Sequence, residues 1–99
     1  MDNKKYDLPF IFGDIEISKF IELKKIIDNS KFDFNEIKNL YYFKSKRWDI
    51  EFKNKIYIKL PRKNIEETLN YIFQLHENKN MKKVKVYDAR VANQIIIND

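Results

Sequence analysis

The sequence predicts an α+β fold, a mostly antiparallel β-sheet of about five strands with two α-helices packed on one face. Three observations carry it. Trp48, Ile50 and Phe52, then Ile56, Ile58 and Leu60, alternate with polar residues at the period of two of a half-buried strand. Two other stretches, around residues 18–29 and 64–78, repeat apolar residues at helical spacing. Short β-prone runs before, between and after them interleave strand with helix.

Leu8-Pro9-Phe10-Ile11-Phe12-Gly13 is a short apolar segment closed by the only glycine, and Pro9 keeps it off a central strand position. Ser18 is placed to cap a first helix, in which Phe20, Leu23, Ile26 and Ile27 face inward and Glu22, Lys24 and Lys25 outward. Asp28-Asn29-Ser30 stops it. Phe32-Asp33-Phe34 alternates briefly, and the Leu40-Tyr41-Tyr42-Phe43 cluster favours a strand in the ambiguous stretch 36–43.

The Trp48 hairpin has an arguable register. For its two apolar sets to share a face, 48 must pair with 60, 50 with 58 and 52 with 56, leaving Lys53-Asn54-Lys55 as the loop. Three-residue hairpins put their last loop residue in the left-handed region, so positive φ is expected at Lys55. Asn64 and Glu67 read as an Asn-led capping box, opening a second helix that carries Ile65, Leu69, Ile72, Phe73 and His76 on one face. Val84, Val86 and Asp88 are expected on one face of a strand. Val91-Ala92-Asn93-Gln94 reads as a turn and Ile95-Ile96-Ile97 as the last strand.

The bulk numbers fit one domain over residues 1–99. At 43% apolar and 15% aromatic, the chain has a core's worth of side chains and lacks the signature of disorder. No cysteine means neither disulfide nor thiolate chemistry. No apolar run approaches the length of a membrane span, and the charged start is not a signal peptide. The net charge of +5 comes from lysine far more than arginine. With abundant Ile and Asn, that reads first as the codon bias of an A/T-rich genome, and second as a mild preference for acidic partners or anionic surfaces.

Nothing in the sequence supports catalysis. His76 is the only histidine and shares the apolar spacing of its helix, so it reads as a partly buried residue rather than a metal ligand. One glycine excludes phosphate-cradling loops, and no serine has a nucleophile's context. Asp49 with Glu51, and Glu66 with Glu67, read as solvated faces. No catalytic residue, metal ligand or cofactor is assigned. A basic–aromatic surface at Lys44-Ser45-Lys46-Arg47-Trp48 with Tyr41 and Tyr42 would suit a nucleic-acid-binding module, a rival weakened by the alternation that puts Trp48 in the core.

Three segments carry a family resemblance. Arg47-Trp48-Asp49-Ile50-Glu51-Phe52, a short turn, and an apolar strand closed by Leu60-Pro61 form one. Leu8-Pro9 to Gly13 precedes it, and a strand ending Asp88-Ala89-Arg90, then a turn and a last strand, follows. In this order and spacing the chain resembles the C-terminal domain of the bacterial cell-division proteins FtsQ and DivIB. Lys55 stands where that family has a hairpin glycine, and Ala89 where it has a larger apolar residue.

The resemblance implies a non-enzymatic scaffold of the divisome, acting at the septum in the cell cycle on the periplasmic side of the inner membrane. It would be tethered by a transmembrane helix that, with a POTRA domain, precedes this region in the family and lies outside this chain. Its partners would be FtsB and FtsL, and no small-molecule substrate is implied. A partner strand would add to the edge of the last strand. Carried over, Arg90 would pair with an acidic partner residue, and Val91, Gln94, Ile95, Ile96 and Ile97 would line the docking strip. Arg47 is a further candidate, while Trp48, Asp88 and Pro61 are structural. An unguarded β-prone run such as Ile95–Ile97 either seeks a partner or is a core strand covered by a helix.

Overall fold

The computed structural model describes residues 8–78, 81–91 and 94–98. These form, in chain order, β1 (Phe10–Phe12), α1 (Ile17–Asn29), β2 (Ile37–Tyr42), β3 (Trp48–Phe52), β4 (Tyr57–Lys59), α2 (Ile65–Glu77), β5 (Val86–Asp88) and β6 (Ile96–Asn98). A 3-10 turn at Phe34–Glu36 leads into β2. The strands lie side by side in sequence order as one six-stranded sheet.

The α+β class holds, with one strand more than expected and a mixed sheet. The pairs β2–β3, β3–β4 and β5–β6 are antiparallel, whereas β1–β2 and β4–β5 are parallel. Each parallel pair is the one that a helix connects. A helical crossover returns the chain to the same end of the sheet, so the next strand runs in the same direction.

The hairpin has the register that apolar alternation demands. Asp49 pairs with Lys59, Ile50 with Ile58 and Glu51 with Tyr57. Lys55 closes the loop at φ 76°. Asn54 supports the turn by accepting a hydrogen bond from the Ile56 N–H at 3.1 Å.

This register runs on through the whole sheet. Ile11, Leu40, Ile50, Ile58, Tyr87 and Ile97 stand in one row. The four central members are buried against Leu23 and Ile27 of α1 and Leu69 and Ile72 of α2. Both helices therefore cover the same face. The rows on the other face run through Asn39, Glu51, Tyr57 and Val86, and through Tyr41, Asp49, Lys59 and Asp88.

Four local expectations are corrected. Ser18 lies inside α1, whose N-cap is Glu16. Asn64 does precede α2, but in the left-handed conformation and with no side-chain bond to the helix, so no capping box forms. Phe32–Phe34 is not strand, because the Asp33 carboxylate accepts from the Asn35 N–H at 3.0 Å and turns the chain into the 3-10 segment. In β5 and just after it the inward residues are Tyr87 and Ala89, with Val86 and Asp88 on the opposite face. Strand pairing starts at Val86, so the buried Val84 does not set its alternation. The expected turn at 91–94 contains residues 92 and 93, which lie outside the described residues.

His76 sits partly buried on α2, its Nδ1 2.8 Å from the hydroxyl of the fully buried Tyr87. Burial holds the imidazole below its ordinary pKa of 6.5, helped by the charge of Lys82. Burial also raises the Tyr87 phenol, so a protonated hydroxyl and a neutral imidazole share this hydrogen bond.

Two outcomes are expected. Lys55→Gly relieves a left-handed side-chain conformation, stabilising the fold by about 1 kcal/mol, which thermal melting reads as a rise of several degrees. The depressed His76 pKa means that the unfolded chain binds its proton first. Its contribution to stability is full above pH 6.5 and falls as pH drops towards the lower folded-state pKa. Denaturant titrations between about pH 7 and pH 5 should show this slope in the native chain and a flatter one in His76→Gln. Asp88 and Glu51, both depressed, lose their contributions only lower, below their ordinary values of 3.8 and 4.5.

Candidate partner-binding site

β6 is an edge strand, with β5 on one side and no strand on the other among the described residues. Main-chain direction can be read from its neighbours. Tyr57 N donates to Lys85 O and Ala89 N to Lys59 O, so the odd-numbered residues of β5 bond to β4. Val86 and Asp88 therefore bond towards β6, to Asn98 and Ile96. The N–H and C=O of Ile97, between them, turn out along the free edge.

The isoleucine run divides between the two faces. Ile97 continues the helix-side row and Ile96 lies beside Asp88 on the other face; they are 40% and 46% exposed. Ile95, just before the strand, packs against the core. The run is thus partly core and partly open, and neither of the two described helices seals it.

A groove of about 1360 Å³ flanks this strand on the helix side. It brings together Arg90, Val91, Gln94, Ile95 and Ile97 with Trp48, Pro61 and the exposed Tyr71 of α2. Lys19, Lys46, Arg62 and Lys63 lie along it, against Glu22 and Glu67. Seven residues named from the sequence share one concavity. Ile96 and Asp88 face away from it and Arg47 does not line it.

Asp88 and Arg90, two residues apart, form a bidentate pair. Arg90 Nε donates to Asp88 Oδ1 at 2.9 Å and Nη2 to Oδ2 at 2.6 Å, while the Arg90 N–H also donates to Oδ1. The hydrogen bonds from Arg90 hold the Asp88 carboxyl below its usual range, and the same pairing raises the guanidinium. Asp88 thus fixes the direction of an exposed Arg90 at the groove's rim.

Arg47 is committed elsewhere. Its Nη1 donates to Asp49 Oδ1 at 3.3 Å and to the Leu60 carbonyl at 3.2 Å, and the guanidinium lies over the Phe43 ring. Asp49 is 3% exposed, a correction to its reading as a solvated face. It also accepts from the Tyr57 hydroxyl at 2.8 Å. Burial and the Asp49 carboxylate push the Tyr57 phenol far above its ordinary value. Glu51, half-buried, accepts from Asn39 Nδ2 and the Tyr41 hydroxyl, which hold its carboxyl low. The signal that could have found this network was the register itself, which sets Tyr57 opposite Glu51 and, two pairs along on the same face, diagonal to Asp49.

Trp48 is buried, with the half-buried Tyr42 ring 4.8 Å away, so it offers no stacking platform for a nucleic-acid base. Among the described residues no three His, Asp or Glu side chains gather as metal ligands, and no helix is long and apolar enough to cross a membrane.

The chain matches the family described as "Cell division protein FtsQ/DivIB, C-terminal" over residues 2–90. That span covers β1 to Arg90 and stops short of β6. None of the curated proteins matches the chain.

Unequal roles for two of the three arginines give a test. Arg47→Ala leaves the buried Asp49 with one partner fewer and should cost about 2–3 kcal/mol in denaturant unfolding. Arg90→Ala, at an exposed pair, should leave the unfolding midpoint unchanged.

Proposed function

The chain belongs to the family of FtsQ/DivIB C-terminal domains, and from that premise we propose that it is a non-enzymatic scaffold of the division septum. It acts in cell division by membership, and its task there is to hold a partner polypeptide of the FtsB or FtsL type. The partner adds a strand along the outer edge of β6 and lays side chains into the adjoining groove. A place on the periplasmic side of the inner membrane goes with this reading.

One observation carries it: β6 presents the Ile97 main chain and two half-exposed isoleucines at an edge without a guarding charge inside the strand. Monomeric proteins blunt such edges with lysines, prolines or bulges. Strand addition satisfies the outward N–H and C=O, and alternate side chains supply selectivity. Here Ile97 points to the groove side and Ile96 to the other, so a partner strand is gripped on both faces.

Arg90 supplies the charge contact. Asp88 already holds its fork, so an acidic partner residue meets an oriented guanidinium and takes over or shares its hydrogen bonds. The excess of basic residues along the groove favours the same sign of partner.

Binding of a periplasmic FtsB/FtsL-type segment, measured by titration calorimetry, tests the reading. Ile97→Pro removes the outward N–H while sparing the bonds between β5 and β6. Arg90→Glu reverses the rim charge. Each should weaken binding by about tenfold or more with the native circular dichroism retained. Undiminished binding in both variants would exclude the β6 edge.

A further inference from the structure

The sheet has a second open flank, at β1. This strand pairs with β2 alone among the described residues, and Leu8, Phe10, Ile11 and Phe12 are all exposed, Phe10 to 71%. No charged residue interrupts Leu8–Phe12, and Pro9 stands before the three strand residues, where it withholds no N–H from a pairing centred on Ile11. That is the profile of a strand built to be paired.

We propose that β1 is a self-association edge, at which two copies of this chain join their sheets by antiparallel β1–β1 pairing about a two-fold axis centred on Ile11. The main chain is set for it. Phe43 N donates to Arg47 O, so the odd-numbered residues of β2 bond to β3 and Leu40 bonds towards β1. In the parallel register Phe10 and Phe12 then bond back to β2, leaving the Ile11 N–H and C=O directed outward. Two such residues facing each other across a two-fold axis exchange both hydrogen bonds.

The side chains are self-complementary about the same point. Phe-Ile-Phe reads alike in both directions, so each Phe10 sits opposite the other copy's Phe12, and Ile11 opposite Ile11. Phe12 already stacks on Tyr41, ring centroids 5.1 Å apart and planes within 15°. A partner's Phe10 extends that aromatic layer, the favourable cross-strand arrangement for such rings. Charge agrees as well. The exposed Lys38 lies in register just before Phe10, at one end of the strand, and the exposed Asp14 and Glu16 follow its other end. Antiparallel pairing brings the basic end of each copy to the acidic end of the other. An isologous contact of this kind closes at two copies.

The occupied edge lies across the sheet from β6, so this association and partner capture are separable. Sedimentation equilibrium of the 99-residue chain should show a reversible transition between 12.2 kDa and twice that mass. Phe10→Lys, at an exposed side chain, should weaken the association by about tenfold or more, while Ile97→Lys leaves it intact. Amide exchange gives a second readout, in which the Ile11 N–H gains protection as concentration rises. A monomer at all concentrations, a dimer untouched by Phe10→Lys, or open-ended polymers lost in Ile97→Lys would each overturn the proposal. The last would mean β6-to-β1 joining instead.

Discussion

Burial of the row Ile11–Leu40–Ile50–Ile58–Tyr87–Ile97 beneath α1 and α2 is the constraint on which the molecule depends. A slip of one residue in any strand would turn that strand's share of the row to the other face. The burial also has a limited width. Six strands at about 4.8 Å spacing span about 24 Å, whereas two helices of about 10 Å diameter cover about 20 Å. Central members of the row are sealed, and Ile11 and Ile97, both 40% exposed, mark where the cover runs out. The two open edges are thus a product of how the core is roofed.

The face without helices solves a different problem. Its rows carry Asp49, Glu51 and Asp88, which an apolar roof would leave unpaired. Instead Tyr57, Tyr41, Asn39 and two arginines satisfy them within the sheet or at its rim. Asp49 is the extreme case, nearly inaccessible yet held by Arg47 and Tyr57. This network ties β3 to β4 and, through the Leu60 carbonyl, to the segment entering α2. Arg47 therefore serves the fold, whereas Arg90, just past β5 and outside the roof, pairs with Asp88 while staying exposed.

Much of this is legible in the sequence. Alternation alone gave the hairpin register and the left-handed Lys55, because only one pairing puts Trp48, Ile50, Phe52 and their partners on the same side. Helical spacing located α1 and α2 to within a residue or two. What failed were features that depend on neighbours distant in sequence. Asn64 has a capping residue's identity, but the chain enters α2 left-handed from Pro61 and its side chain does not reach the helix. Asp49 looks solvated until Tyr57 and Arg47 are folded over it. Val86 continues the alternation of Val84 in sequence, but β5 pairs with β4 only from Val86 onward, and the residues buried there are Tyr87 and Ala89. Of the candidate site, the family resemblance named Arg90, Val91 and Gln94–Ile97. The groove that collects most of them, and the outward turn of Ile97, arise only when β5 delivers β6 to the edge.

The brevity of β6 sets the character of any junction made there. Three residues, with a single one directing its main chain outward, supply a hydrogen-bond ladder barely one rung long. At about 0.5–1.5 kcal/mol per net bond, such a ladder dictates alignment while leaving most of the holding strength to side-chain packing. A strand added there would be set in register by the Ile97 main chain and held by the side chains of the flanking groove.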